Sequence, residues 1–209
     1  MGKFMDKVEI FNSYYDEYDQ WFETHADTYK AEIEAIKMLL PRTTLSIDIG
    51  VGTGKFAKPL GITVGIEPSE KMAERAKSQG IIVIKAFAED LPFYNNSFDV
   101  ALMVTTICFV NDPQKAIHEA YRILNPQGCC IIAIVDKNSP LGKHYIKNKD
   151  SSKFYKAATF YSTDEIIDYM EKSGFVKFKF KQTLFDDENP FRIEDGYGSG
   201  SFVVIQGFK

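Results

Sequence analysis

Cysteine, histidine and tryptophan are all scarce in this chain of 209 residues, at three, three and one. Three cysteines (Cys108, Cys129 and Cys130) cannot form a disulfide framework, and such sparse usage fits a reducing compartment. The adjacent Cys129 and Cys130 would point to opposite faces of a strand, which makes them poor partners for one metal ion, so no metal site is expected. Positive charge is not in excess either. The formal net charge is −4, whereas proteins that grip a nucleic-acid backbone usually carry a basic balance, because phosphate contacts dominate that affinity. No apolar run approaches the roughly 18–20 residues needed to cross a bilayer. The stretch Met1 to Ile10 contains Lys3, Asp6, Lys7 and Glu9 and has no signal-peptide core. Repeats, low-complexity blocks and Pro/Gly-rich linkers are missing as well. These absences point to a cytoplasmic chain of one domain, with no membrane span and no nucleic-acid partner. What is present, 44% hydrophobic and 14% aromatic residues, suffices for a sizeable core.

Residues Asn12 to Leu40 read as helical, with Tyr14, Tyr15, Tyr18, Trp21 and Phe22 near helical spacing and a second stretch, Tyr29 to Leu40, ending at Pro41. From Thr44 the texture changes to short apolar runs alternating with helix-like segments. Leu45 to Ile49, Ile62 to Ile66, Ile81 to Lys85, Phe98 to Val104 and Gly128 to Val135 read as strands. Ser69 is a candidate N-cap for a helix to Gln79, and Pro113 opens another that runs to Leu124. Strands alternating with helices imply parallel pairing through crossovers, hence a doubly wound α/β sheet. The tail differs. Ser162-Thr163-Asp164-Glu165 has the form of a capping box for a helix that stops at Gly174. Two strands follow without a helix between them, Phe175 to Leu184 and Ser201 to Phe208, and these should pair as an antiparallel hairpin at the sheet edge.

The strongest local signal is Asp48-Ile49-Gly50-Val51-Gly52-Thr53-Gly54, at the end of the first parallel strand. Ligands of open α/β sheets bind outside the carboxyl ends of the strands, near the point where strand order reverses. A dinucleotide site would need G-x-G-x-x-G to seat a pyrophosphate on a helix N-terminus. Here the third glycine comes one residue early, and Lys55 stands where that pattern requires glycine. Asp48 would repel a pyrophosphate but could hold an ammonium group. The second strand ends in Glu67, whose carboxylate could accept both hydroxyls of a ribose. The loop Ala86 to Phe93 could pair with an adenine edge.

These segments, in this order and spacing, resemble the class I S-adenosylmethionine-dependent methyltransferases, and among them the ubiquinone/menaquinone-biosynthesis type (methyltransferase type 11). Asp48 to Gly54 is similar to that family's first motif, Val64 to Met72 to the next, and Ala88 to Phe93 to the adenine-side motif. Ser97 to Val100 resembles the entry to strand four, and Asp112-Pro113 with Glu119 and Arg122 to Gly128 the helix and turn before strand five. The resemblance implies a Rossmann-like, mostly parallel seven-stranded sheet with an antiparallel C-terminal strand, preceded by N-terminal helices. The expected division is a helical lid over residues 1–43, a cofactor-binding core over 44–136, a substrate-side connection over 137–161, and a helix with the terminal hairpin over 162–209. The implied cofactor is S-adenosylmethionine, leaving as S-adenosylhomocysteine. Gly50, Gly52 and Gly54 would line its methionine end, Asp48 would lie near the ammonium, and Glu67 would take the ribose hydroxyls. Pro68 and Met72 would flank the adenine, with Ala88, Glu89 and Leu91 at its edge. Gln127 stands where the family usually has glycine, which should alter a surface turn only.

The acceptor is expected to be a small molecule. Thr105, at the tip of strand four, would face the methyl group, with Thr106 and Ile107 on the substrate side. The aromatic cluster before the first strand could form part of a lid, with Tyr18 and Trp21 touching cofactor and Tyr14 touching substrate, or it could be an ordinary buried stripe. Thr105-Thr106-Ile107-Cys108 is neither the Asn/Asp-Pro-Pro-aromatic tetrad of enzymes that methylate amino groups of adenine or glutamine nor a Pro-Cys pair. Lys137, Lys143, Lys147, Lys149, Lys153 and Lys156 read as a solvated surface, with recognition of an acidic substrate as the functional alternative. A general base is not obligatory for methyl transfer, and Tyr18 and His144 are the candidates if one is used. Two other readings stay open: a non-catalytic module that binds the cofactor, and an NAD-dependent oxidoreductase on the same kind of sheet.

Overall fold

The computed structural model describes residues 2–43, 45–187, 189 and 191–209; Met1 and Thr44, where the expected lid and core segments begin, lie outside them. Three helices open the chain, Gly2–Ser13 (α1), Tyr15–Thr24 (α2) and Ala26–Lys37 (α3). The sequence suggested fewer, longer helices from Asn12 onward, and the reason for the difference is local. Tyr14 and His25, which separate the helices, make no side-chain capping bond, so neither break carries the polar signature by which helix ends are recognised.

Five strands then pair in parallel: Ser46–Ile49 (β1), Val64–Ile66 (β2), Ile82–Ile84 (β3), Phe98–Val104 (β4) and Leu124–Val135 (β5). Between them run Ala57–Leu60 (α4), Glu70–Ser78 (α5) and Pro113–Ile123 (α6). Ser69 caps α5 by accepting from Met72 N, and Asp112 caps α6 by accepting from Lys115 N. After β5 come Pro140–Lys147 (α7) and Thr163–Ser173 (α8), and α8 has the expected reciprocal Ser162–Glu165 capping box and a left-handed Gly174 at its end. The chain closes with Val176–Thr183 (β6), Glu194–Asp195 (β7) and Phe202–Phe208 (β8).

The sheet order is β3-β2-β1-β4-β5-β8-β6-β7. β8 runs antiparallel between β5 and β6, as the paired terminal strands implied. The sheet has eight strands where seven were expected. The additional one, β7, is a pair of exposed polar residues opposite Lys181 and Gln182, too short and too polar to show alternation. Both faces of the sheet are buried in apolar layers, and Cys129 and Cys130 enter opposite ones, as a two-residue period requires. No helix among the described residues is long and apolar enough to cross a membrane.

Gln127 adopts φ +70° and is exposed in the irregular stretch of β5 between Leu124 and Cys129, so this bulge, where a surface turn was expected, holds a left-handed residue at a position where the family pattern favours glycine. Left-handed backbone costs a residue with a Cβ about 1–2 kcal/mol, against a glycine entropy cost of about 0.5–1 kcal/mol. Gln127→Gly is therefore expected to raise the melting temperature slightly, by about 0.5–1 kcal/mol of stability. A fall in the melting temperature would show that the glutamine side chain makes a stabilising contact.

Candidate functional site

Strand order reverses between β1 and β4, and a cleft of about 800 Å³, counting the space open to solvent, lies at their carboxyl ends. The tips of four consecutive parallel strands line it: Gly50 and Gly52 after β1, Glu67 and Pro68 after β2, Ala86 to Glu89 after β3, and Val104 to Thr106 at β4. Met72 reaches it from α5, and Val8, Phe11 and Tyr18 from the N-terminal helices. The glycine turn fits closely around its neighbours. Gly50 has φ +81°, and a Cβ there would lie 2.3 Å from Thr106 Cγ2. Gly50 N and Val51 N both donate to Ile66 O at 2.9 Å, which ties the turn to the next strand.

Two buried carboxylates stand behind this turn. Glu67 accepts from Gly52 N at 2.9 Å and from Ser69 N at 2.8 Å, one bond to each oxygen. Burial pushes its pKa up to about 7 against the lowering effect of those two N–H groups. Asp48 is 2% exposed, and its Oδ1 is buried with no hydrogen-bond partner among the described residues. Burial, and secondarily the charge of Glu67, push Asp48 up to about 8. A buried polar atom without a partner is costly, and a cationic ligand group would relieve both conditions at once. Glu67 lines the cleft and fits vicinal hydroxyls, whereas Asp48 lies behind the glycine turn and is not among the lining residues, so it would act on an ammonium group there through the turn or a water.

A second cavity, of about 930 Å³ counting the space open to solvent, adjoins the first. Phe11, Tyr18, Thr105 and Phe109 line both. Its wall is largely aromatic, with Trp21, Phe22 and Phe56, and with Tyr145, Phe154, Tyr155, Phe160 and Tyr161 from the connection after β5. Thr105 adopts φ +51°, an outlier for a β-branched residue. Strain of this kind costs of order 1–3 kcal/mol and persists where surrounding contacts enforce it. Here Thr105 N donates to Ala133 O at 2.8 Å, and Cys108 Sγ donates to Thr105 O at 2.9 Å. Tyr18 is held among acids. Burial, then Glu67, Asp48, Asp19 and Glu32, raise its hydroxyl's pKa, so it stays a neutral donor.

The N-terminal helices are fastened over both cavities by polar contacts. Lys7 Nζ donates to the carbonyls of Phe109 and Val110 at 3.0 and 3.2 Å. Asn12 Oδ1 accepts from Ser69 Oγ at 2.8 Å, and Asp19 accepts from Thr53 Oγ1 in the glycine turn at 2.5 Å. Lys153 pairs with Glu17 at 2.7 Å, joining α2 to the connection after β5.

A family model described as a methyltransferase domain matches residues 47–132. A Thermotoga maritima protein, described with its crystal structure as a SAM-dependent methyltransferase and possible histamine N-methyltransferase, is 51% identical. It superposes with a TM-score of 0.92 over 96% of this chain and 99% of its own. The chain belongs to the S-adenosylmethionine-dependent methyltransferases. An uncharacterized Methanocaldococcus jannaschii protein is 43% identical over 205 residues, covering 97% of this chain and all of its own length. The ubiquinone/menaquinone biosynthesis C-methyltransferase of Rickettsia typhi is 32% identical over 159 residues, 70% of this chain and 61% of that protein. The methyltransferase therefore uses S-adenosylmethionine as its cofactor, and the dinucleotide alternative falls away.

Most residues singled out from the sequence of this methyltransferase converge on the first cavity: Gly50, Gly52, Glu67, Pro68, Met72, Ala88, Glu89, Thr105, Thr106 and Tyr18 line it. Glu89 also accepts from Asn111 N at 2.7 Å, which ties the loop after β3 to the start of α6. Several others lie elsewhere, each for a packing reason. Gly54 faces inward, where a Cβ would meet Ile81 at 2.6 Å. Leu91 is a core residue whose N–H donates to Glu119 and whose carbonyl accepts from Arg122, so the Glu119–Arg122 pair holds the adenine-side loop rather than a ligand. Trp21 stacks on His25 and lines the second cavity instead of the first, as does Ile107. Tyr14 lies outside both linings, packed against Phe154 with Lys153 over its ring. His144 is exposed on α7 and lines neither cavity. No lysine of the 137–161 connection lines the second cavity; Lys137 and Lys153 pair with Glu165 and Glu17 instead, so the structure gives no support to recognition of an acidic substrate there.

The sequence reading missed Phe11, Glu32, Tyr145, Phe154, Tyr155, Phe160 and Tyr161. The recurrence of Tyr and Phe from Tyr145 to Tyr161 was a usable signal, hidden by the lysines between them.

Proposed function

We propose that this chain transfers a methyl group from S-adenosylmethionine in the first cavity to a small molecule in the second. The observation that carries this reading is the pair of adjoining cavities sharing Tyr18 and Thr105, since in-line transfer needs donor and acceptor to meet at one point. The cofactor supplies an activated methyl group on a sulfonium. The rest is positioning by this chain's residues. Asp48, behind the turn, supplies negative charge toward the ammonium through a water, Glu67 takes the ribose hydroxyls, and the turn at Gly50 and Gly52 makes room for the methionine end. Pro68 and Met72 flank the adenine, with Ala88 and Glu89 at its edge. Thr105 and Tyr18 bracket the transfer point, and the aromatic walls keep water from it. The relatives span acceptor types, from the possible histamine N-methyltransferase of Thermotoga maritima to quinone C-methyltransferases.

Calorimetric titration with S-adenosylmethionine, followed by assay of S-adenosylhomocysteine formation across amines, phenols, thiols and carboxylic acids, tests the proposal. Binding with turnover of at least one class is the expected result. Binding without turnover of any class would make the chain a cofactor-binding module, and absence of binding would overturn the donor site.

A further inference from the structure

The second cavity contains one feature that methyl transfer alone does not explain. Glu32, on α3, lines it and is 5% exposed. It is the sole charged side chain among the described lining residues, and it makes no hydrogen bond or ion pair with any described residue. Its neighbour in pattern, Glu34, points outward and pairs with Lys37 at 2.8 Å. The other buried glutamates at the site, Glu67 and Glu89, each accept backbone N–H bonds. The cations around the cavity are engaged elsewhere: Lys55 lies 3.9 Å from Asp19, Lys153 pairs with Glu17, and Lys149 donates to Ala158 O. A buried carboxylate without a partner is among the least favourable arrangements in a protein interior, and this one faces an open cavity.

We propose that Glu32 is the anchor of the acceptor site, binding the positively charged nitrogen of a small amine inside a cage of aromatic rings. The proposal rests on the methyl-transfer reading only in naming the bound amine as the acceptor. Three observations favour a cation over a neutral phenol or alcohol. A carboxylate in an apolar cavity attracts a full charge much more strongly than a hydroxyl dipole. The rings of Trp21, Phe22, Tyr145 and Tyr155 line the same cavity, and their faces attract cations. No lining lysine or arginine competes for the carboxylate. The hydroxyls of Tyr18, Tyr29, Tyr145 and Tyr155 all sense the charge of Glu32, so the acid lies within electrostatic reach of the ring cluster. The rings of Tyr145 and Tyr155 pack with centroids 4.6 Å apart, and Tyr29 donates to the Lys55 carbonyl. With Glu32 fixing the charged end, the remainder of the acceptor extends toward Tyr18 and Thr105, where the two cavities meet.

Trp21 is the single tryptophan of the chain and lines this cavity, so intrinsic fluorescence reads occupancy directly and needs no donor. The experiment titrates the full chain, with and without S-adenosylhomocysteine, using phenethylamine and butylamine against the matched alcohols phenylethanol and butanol. The expected result is saturable binding of the amines at least about tenfold tighter than of the alcohols. Glu32→Gln should weaken amine binding about 10- to 100-fold, as loss of a charged hydrogen bond does, leaving the alcohols within about twofold. Its affinity for S-adenosylhomocysteine and its melting profile should match or exceed those of the parent, because a buried carboxyl that is costly to ionise has been replaced by a neutral amide of the same shape. Alcohols binding as tightly as amines, amine affinity unchanged in Glu32→Gln, or no amine binding at all would each overturn the proposal. Failure of the parent to bind S-adenosylmethionine would instead sink the methyl-transfer reading while leaving the fluorescence result to decide the amine site.

Discussion

Gly50→Ala is expected to weaken S-adenosylmethionine binding on the order of 100-fold in a chain that still folds. Two costs coincide at this position. The backbone is left-handed, at φ +81°, and the new methyl would lie 2.3 Å from Thr106 Cγ2 and 2.5 Å from Thr106 Oγ1. The first cost is about 1–2 kcal/mol for any residue with a Cβ. The second cannot be relieved by a simple rotation, because the Thr106 hydroxyl is held by the carbonyls of Gly50 and Val104. Either the turn or the tip of β4 must shift, and both line the donor cavity. The same turn carries Gly52 N, which donates to Glu67. A displacement of about 1 Å among positioning groups can cost on the order of 100-fold, and that is the loss expected here. Gly61→Ala is the control. Gly61 has a similar φ of +72° with nothing within 4 Å of a built Cβ, so it incurs the backbone cost alone and should leave binding intact. The double variant Gly50→Ala with Thr106→Ala should recover part of the lost stability but little of the affinity, since the backbone strain remains. If calorimetry found Gly50→Ala binding within a few-fold of the parent, the glycine turn would not be the cofactor cradle.

That turn was also the most legible part of the sequence. Its glycines, the acid before them and the acid at the end of the next strand are contiguous or nearly so, and their chemistry depends on strand-tip position alone. The parallel strands were readable because each holds a short apolar run; β1 and β4 are buried on both faces, while the edge strand β3 leaves Ile82 exposed. The second cavity was not readable, because no local segment of the chain specifies it. It is assembled from α1, α2, α3, the tip of β4 and the connection from Tyr145 to Tyr161, and each contribution taken singly resembles either core or surface. Glu32 illustrates the difficulty. In Ala31-Glu32-Ile33-Glu34-Ala35 the two acids look equivalent, and only the packing of α3 turns Glu32 inward and Glu34 toward Lys37. Arg122 shows the converse. It falls within a recognisable motif, yet its bonds to Leu91, Phe93 and Asn95 hold a loop, so motif membership alone did not separate ligand contacts from scaffolding.

Three unusual carboxylates also give the ligand-free methyltransferase an uncommon pH profile: its stability is expected to fall as pH rises from about 5 to about 8. Burial raises Glu32 and Asp48 to about 8 and Glu67 to about 7, from ordinary values of 4.5, 3.8 and 4.5. In that interval the folded chain keeps protons that the unfolded chain has already released. Because the unfolded state then binds fewer protons, unfolding becomes easier with each step up in pH. The penalty is absent below the ordinary carboxylate values and is fully developed above about pH 8. Asp99, held low by Asn125 and Thr43, and Glu119, held low by Arg122, act in the opposite direction. Their contribution is lost only below the ordinary carboxylate range, so the two effects occupy separate windows. One fully expressed group is worth about 1.4 kcal/mol per pH unit, and a loss of a few kcal/mol corresponds to a melting temperature lower by roughly 5–10 °C at the upper end. Cofactor binding should reverse part of this, because an ammonium near Asp48 favours the ionised acid; the rise in melting temperature produced by S-adenosylmethionine should therefore be larger at about pH 8 than at about pH 5.5. Asp48→Asn removes one of the three acids and should flatten the profile, and thermal melts across the pH range of parent and variant measure both effects. A parent profile that is flat or rises with pH over this window would mean that these acids are solvated or paired in solution, and the donor-site electrostatics argued from them would fail.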